Sequence, residues 1–197
     1  MGGDLDSPGR TRATGRAGPI RLAGAATLIL GLFALLLPLM DRWPGAAVIG
    51  WLLMAAGLLE LLAALARTPG EPRRRAMLVG ALTSLAGLLF LLDLYLPFMT
   101  AAYIVMAWLL LRGLLLFRLA ACSTGSARTL VRFGGFADLL LGLILLVGLP
   151  ISAFIVAVFG PTPELVASFA LVFAASFLVT GTMLLFLARA ERGELPA

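Results

Sequence analysis

The chain has no histidine and no lysine, and Cys122 is its only cysteine. Without histidine there is no imidazole to ligate a metal or to serve as general base for a serine or cysteine nucleophile. A single cysteine excludes an intramolecular disulfide framework and a cysteine-rich metal site. No phosphate-cradling or dinucleotide-binding glycine pattern occurs, the stretch from Ser7 to Thr14 included. Charge is scarce as well, at 13% of residues, against about 25% in a soluble domain. No catalytic constellation remains. The expectation is a non-enzyme without metal or cofactor.

What the sequence holds instead is hydrocarbon. Hydrophobic residues make up 61% of it and the mean hydropathy is +1.07, where a soluble domain is about 45–50% apolar. A soluble fold of 197 residues cannot hide that much apolar surface, so lipid must cover the rest. Fifteen arginines against ten acids give a net charge of +5. They sit beside apolar segments, the pattern of membrane topology rather than of nucleic-acid binding. The lack of lysine beside abundant Ala, Gly, Leu and Pro fits a GC-rich coding sequence and reads as bacterial.

A membrane-crossing helix needs about 20 mostly apolar residues. Six segments qualify: Ile20–Pro38, Gly45–Ala66, Ala76–Leu94, Met99–Ala120, Arg132–Gly148 and Glu164–Ala188. The first run follows a basic leader but is longer than a secretory signal core and lacks an A-x-A site, so it is read as an uncleaved helix. Thirteen arginines fall on one side of these spans: Arg10, Arg12, Arg16, Arg21, Arg67, Arg73, Arg74, Arg75, Arg118, Arg128, Arg132, Arg189 and Arg192. Arg42 alone falls on the other side. The positive-inside rule then puts both termini in the cytoplasm, and the expected location is the bacterial cytoplasmic membrane. The outer connections carry prolines (Pro38, Pro44, Pro97, Pro150, Pro161, Pro163), acids (Asp41, Asp93, Glu164) and aromatics (Trp43, Tyr95, Phe98). Thr162-Pro163-Glu164 reads as a helix start: a capping hydroxyl, a proline in the first turn, and an acid at the positive dipole end. Residues 1–19 read as a disordered cytoplasmic leader, 20–188 as the membrane domain and 189–197 as a cytoplasmic tail.

The odd-numbered spans repeat: GAATLILGLFALLLP from Gly24, GALTSLAGLLFLLDLYLP from Gly80 and GFADLLLGLILLVGLP from Gly135. Each places glycines seven apart and then an apolar run ending in proline. The even spans repeat as GLLELLAALAR from Gly57, GLLLFRLAA from Gly113 and GTMLLFLARAER from Gly181. The expected fold is therefore an all-α polytopic bundle of three repeated helical hairpins, about 20–66, 76–120 and 132–188. About a dozen additional residues of the third repeat fall around Phe154–Pro163, read as a longer apolar outer connection. Its Pro-rich end at Gly160–Pro163 reads as an ordinary outer turn. Residues seven apart share a helix face, and small residues let backbones approach closely in lipid. Gly24, Gly31, Gly50, Gly57, Gly80, Gly87, Gly113, Gly135, Gly142 and Gly181 are the candidate packing glycines.

This pattern resembles the HdeD family of bacterial acid-resistance membrane proteins, over about Leu22 to Ala188. The best local matches are Gly135-Phe136-Ala137-Asp138 through Pro150, and Gly57 with Glu60. The departures are the longer third connection and the arginine-rich leader. The resemblance implies six membrane helices in repeated pairs and a link to acid stress, and it supplies no catalytic residue.

Three ionisable residues lie within apolar spans: Glu60, Arg112 and Asp138. Each costs about 2.5–3.5 kcal/mol near a helix centre, so each is expected to face protein or water. At 1.5 Å per residue all three lie about 9–10 Å from the cytoplasmic boundary, in one layer. Glu60 and Asp138 each follow a glycine by three residues, about 60° from the glycine face and toward the bundle interior. One reading pairs Arg112 bidentately with one carboxylate and leaves the other as a proton-binding site. The plainer reading is an ion cluster that fixes helix register; a third is snorkelling at the lipid face.

Thr83, Ser84, Ser176, Thr180 and Thr182 read as hydrogen-bonding glue within or between helices, and Cys122 as a small residue at the inner end of the fourth span. Arg73, Arg74 and Arg75 read as topology determinants that could also meet anionic lipid headgroups. Beyond the bilayer, the partners considered are a second copy of the chain or another membrane protein. The functions considered are stress tolerance without enzymatic activity, a small proton-linked transporter or channel along the charged layer, a scaffold and, last, an enzyme acting on lipid, for which no catalytic constellation is visible.

Overall fold

A computed structural model of the chain describes residues 8–36, 45–92, 97–160 and 162–191. They form six helices: α1 (Pro8–Leu36), α2 (Gly45–Leu65), α3 (Glu71–Leu92), α4 (Phe98–Ala121), α5 (Gly125–Phe159) and α6 (Pro163–Glu191). No strand occurs among the described residues. All six are long and apolar enough to cross a bilayer, and the chain is a multi-pass membrane protein. Pro38, Asp41, Arg42, Trp43, Pro44, Asp93, Tyr95, Pro161 and Arg192 lie outside the described residues.

Four boundaries differ from the sequence reading by five residues or more; one is the start of α5, at Gly125 rather than Arg132. The leader was expected to be disordered throughout, but residues 8–19 are the first turns of α1. Pro8 at the helix start has no N–H to leave unpaired, and the apolar span beyond Pro19 extends the helix that those turns begin. α3 starts at Glu71 rather than Ala76, with an acid at its positive end and proline next to it. The longer outer connection of the third repeat is not a loop for most of its length. α5 runs through Pro150 to Phe159. Proline removes one backbone donor, yet Ile151–Phe159 is apolar and glycine-free. In lipid a helix is the way such a run satisfies its own backbone. α5 stops only at Gly160, whose φ of 77° suits glycine. Its 35 residues span about 52 Å, well beyond the roughly 30 Å hydrocarbon core.

α6 begins where Thr162-Pro163-Glu164 predicts, the Leu165 N–H donating to the Thr162 hydroxyl at 3.4 Å. At the opposite, arginine-rich end, the connections are short: residues 66–70 join α2 to α3, and 122–124 join α4 to α5. There Arg75 donates to the carbonyl of Arg118 at 2.7 Å, and Arg128 donates to the carbonyl of Ala120 at 3.3 Å. Two arginines thus satisfy carbonyls that the end of α4 leaves open.

The repeat in the sequence is a hairpin, but the closest seams run between repeats. α2 packs on α3, α4 on α5, and α6 returns to pack on α1. Glycines make these seams. A Cβ on Gly57 would lie 2.4 Å from the backbone nitrogen of Ser84, and one on Gly87 2.5 Å from that of Met54. Gly113 and Gly135 face each other across α4 and α5, and Gly24 and Gly181 across α1 and α6. Gly31, Gly50, Gly80 and Gly142 likewise have a neighbouring helix within 3.1 Å of an added Cβ. Short connections at the arginine-rich end hold two of these pairs together, and α6 on α1 closes the cycle.

The even helices are the more enclosed. Over their most apolar stretches α2, α4 and α6 are 50%, 44% and 56% buried, against 33%, 39% and 11% for α1, α3 and α5. The even helices therefore converge at the centre and the odd ones clad them. The core falls into two apolar clusters. One toward the proline-bearing end includes Phe90, Val105, Trp108, Leu109, Phe173 and Phe177; the other, toward the arginine-rich end, includes Ile20, Ala64, Val79, Leu116, Leu119 and Val131.

Candidate functional site

Between the two apolar clusters lies a layer of buried polar side chains: Glu60, Thr83, Arg112, Asp138, Ser176 and Thr180. Thr27 is also fully buried, but its hydroxyl donates to Ala23 O of its own helix at 2.8 Å. The layer follows from the repeat. Thr27, Thr83 and Asp138 each stand three residues after a repeat glycine of an odd helix. Ala56, Arg112 and Thr180 each precede a repeat glycine of an even helix, and Leu52, Trp108 and Ser176 stand five before it. Equivalent positions of three packed pairs reach the same level, so substitutions at them meet at the bundle centre.

Arg112 is the hub. Its Nη1 donates to Asp138 Oδ2 and, at 3.3 Å, to the Ser176 hydroxyl. Its Nη2 donates to Glu60 Oε1 and, at 2.8 Å, to the Thr180 hydroxyl. All four hydrogens of the two terminal nitrogens are thereby used. The Ser176 hydroxyl donates to Asp138 Oδ1 at 2.8 Å, and Thr180 donates to Ser176 O at 2.7 Å. Thr83 lies 3.1 Å from Glu60 Oε2 and accepts the indole N–H of Trp108 at 3.3 Å. Helices α2, α3, α4, α5 and α6 are tied by one guanidinium and its shell.

Glu60, Arg112 and Asp138 are thus brought together in one layer. One detail of the sequence reading does not hold. Arg112 does not clasp one carboxylate and leave the other over; it gives one terminal nitrogen to each. The two carboxylates share one guanidinium, and the hydroxyls of Thr83 and Ser176 and the Trp108 indole lie around them. Snorkelling is also excluded, since Arg112 is 1% exposed.

The two sides of the layer differ. Toward the proline-bearing end, Arg112 lies 5.6 Å from the centre of the Trp108 ring, a cation–π contact. Trp108 packs on Phe173 and Phe177, and these continue through Phe169 to Phe98 with ring centres 5.3–6.5 Å apart. This aromatic column covers the charges on that side. Toward the arginine-rich end, a cavity of about 20 Å³ is lined by Glu60, Arg112, Thr180 and Arg67 among apolar neighbours. That is room for a single water. Arg112 Nε is buried and has no hydrogen-bond partner among the described residues.

Of the serines and threonines read as glue, Thr83, Ser176 and Thr180 belong to the layer, while Ser84 packs against Gly57 and exposed Thr182 bonds back to Leu178 O. The sequence signal for the former was available in the repeat register, at positions three after and one or five before the repeat glycines. Cys122 half-exposed ends α4. Of the arginines read for headgroups, Arg75 is engaged with Arg118 O and Glu71, and Arg74 pairs with Glu71 at 3.9 Å. No cluster of three metal-ligating side chains occurs among the described residues.

A protein-family model described as "Short repeat of unknown function (DUF308)" matches residues 22–92. The matched segment runs from the membrane portion of α1 to the end of α3, so it takes in one full repeat and the first helix of the next. Comparison with curated proteins and with solved structures gives no match.

Proposed function

We propose that this chain is a non-enzymatic, HdeD-like protein of a bacterial cytoplasmic membrane, with both termini in the cytoplasm, that serves tolerance to acid or membrane stress. In this reading the charged layer is an internal lock that holds three repeated units in one arrangement. The matched repeat family, which includes HdeD-like membrane proteins, supports the kinship. The single observation behind the lock is Arg112, whose terminal hydrogens are all taken by Glu60, Asp138, Ser176 and Thr180. The guanidinium therefore has no terminal hydrogen left for a passing anion.

The transport alternative draws support from the small cavity beside Glu60 and Arg112. It has against it the aromatic column on the other side of the layer. A scaffold that binds another membrane protein draws on the broad apolar surface and competes with lipid for it.

The test has two arms. Vesicles containing the native chain, Asp138→Asn or Glu60→Gln are given a pH step, and internal pH is followed. The proposal expects all three to leak no faster than empty vesicles, and a native flux lost in the variants would overturn it in favour of transport. In the second arm, cells lacking the gene are challenged with acid. Survival restored by the native chain supports the stress role, and unchanged survival with and without the gene contradicts it.

A further inference from the structure

The two carboxyl groups of the charged layer are not bonded alike. Asp138 accepts Arg112 Nη1 at Oδ2 and the Ser176 hydroxyl at Oδ1. Among the described residues the Ser176 hydrogen has no second acceptor. A proton on Asp138 Oδ1 would therefore set two hydroxyl hydrogens against each other.

Glu60 differs. Its Oε1 accepts Arg112 Nη2, and its Oε2 faces Thr83 at 3.1 Å. The Thr83 hydroxyl has a choice, since Val79 O of its own helix also lies 3.1 Å away. With Glu60 ionised, Thr83 donates to Oε2. With a proton on Oε2, Glu60 donates to Thr83, which turns its own hydrogen to Val79 O. The two lone pairs of the Thr83 oxygen then accept Glu60 and the Trp108 indole N–H. Both states leave this end of the layer fully hydrogen-bonded.

Access differs too. The cavity of about 20 Å³ on the arginine-rich side is lined by Glu60 and not by Asp138. On the other side Trp108, Phe173 and Phe177 stack over the layer. The charged groups around Glu60 are Arg112 of α4 and Asp138 of α5, with the half-buried Arg67 lining the cavity. α3 presents Thr83, α6 presents Ser176 and Thr180, and Thr27 of α1 bonds to its own helix.

We infer that Glu60 is a proton-binding site, its proton held on Oε2 against Thr83 and exchanged with the arginine-rich face alone. Two carboxyl groups share the guanidinium, and in a buried layer a proton on one of them removes the cost of a second negative charge. Asp138 and Arg112 are then the ion pair, and Glu60 is the neutral acid beside it. The inference rests on the charged layer of the proposed lock and adds its ligand. Exchange from one face binds a proton without carrying it across, in keeping with vesicles that do not leak.

The test is infrared spectroscopy of the full chain in vesicles of ether-linked phosphatidylcholine, which has no ester carbonyl, near neutral pH. Exposed carboxyl groups are ionised there. Cell-free synthesis places heavy carbon in the carboxyl of either glutamate or aspartate. The native chain is expected to show a protonated-carboxyl band that shifts with the glutamate label, stays with the aspartate label, and is lost in Glu60→Gln. Thr83→Val, which removes the acceptor, should move the band, and Ser176→Ala should leave it in place. Ala76→Leu, which fills the cavity, should slow deuterium exchange of the band severalfold. Absence of the band in the native chain would overturn the inference, as would a band that follows aspartate in whole or in part. Exchange in Ala76→Leu as fast as in the native chain would overturn the route. Labelling leaves the sequence unchanged, so these readings need no variant to fold, and the lock is judged separately by melting of Arg112→Met.

Discussion

Thr83 and Asp138 occupy the same register in successive repeats, each three residues after a repeat glycine, and both are buried at one level of the bundle. Thr83 meets Glu60 of α2, whereas Asp138 meets Arg112 of α4. Repetition supplied three like positions facing inward, and substitution at some of them produced a charged centre. The hydroxyls around it keep both carboxylates satisfied. Removing one should be costly where it faces a buried charge and cheap where it faces lipid. Ser176→Ala, which strips a donor from Asp138 Oδ1, is expected to lose about 1–3 kcal/mol. Thr182→Ala, whose exposed hydroxyl bonds only to its own helix, should stay within about 0.5 kcal/mol. Thermal unfolding in detergent checks both, and equal melting of the two variants would contradict the assignment.

The glycine seams make a second contrast. Gly57→Ala places a methyl 2.4 Å from the Ser84 backbone nitrogen, which cannot rotate away. The helices must separate, at about 1–3 kcal/mol. Gly148 has no atom within 4 Å of an added Cβ, so Gly148→Ala should be neutral or stabilise by about 0.5–1 kcal/mol, since alanine loses less backbone freedom in a helix. The same melting measurement reads both.

Much of this was legible from sequence because lipid enforces it. Hydrocarbon admits backbone only as helices or closed barrels, so apolar runs of span length translate almost directly into α1–α6. Recurring glycines named the contact faces. What they could not name was the partner face. Gly57 can lie against its own hairpin or the next one, and only the connection lengths at the arginine-rich end and the return of α6 to α1 decide it. Pro150 misled for a related reason: proline marks a boundary where water or a turn can take over, and here Ile151–Phe159 meets neither. The charged layer was readable as a level, since depth follows from residue count. Its wiring was not, because which carboxylate an arginine reaches depends on rotamers and on hydroxyls from α6.

Pairing between repeats predicts three cross-links in a Cys122→Ser background. A Cβ on Gly24 would lie 3.0 Å from Leu184 Cβ, one on Gly50 3.0 Å from Phe90 Cβ, and one on Gly135 3.1 Å from Leu116 Cβ. Cysteine pairs at 24/184, 50/90 and 116/135 are near the Cβ spacing that a disulfide needs. Mild oxidation in native membranes should join each pair within one chain, read as a mobility shift on a denaturing gel. Failure of the 24/184 pair would break the proposed cycle.

The cavity beside the charged layer predicts a bound water. Arg112 Nε is a buried donor, and about 20 Å³ of space is lined by Arg112 and Glu60. A high-resolution structure is expected to place one water there, donating to Glu60 and accepting from Nε. A side chain filling the space, with Nε bonded to protein, would contradict this.

The most direct test of the lock compares Arg112→Met with the triple variant Glu60→Gln, Arg112→Met, Asp138→Asn by thermal unfolding in detergent. Removing the arginine alone strands two buried carboxylates, and breaking a buried pair costs about 3–5 kcal/mol. The account predicts a large loss for the single variant and a partial return of stability in the triple variant, because no charge is then left unpaired. If Arg112→Met melts like the native chain, or the triple variant falls below the single one, the three charges do not hold the bundle together.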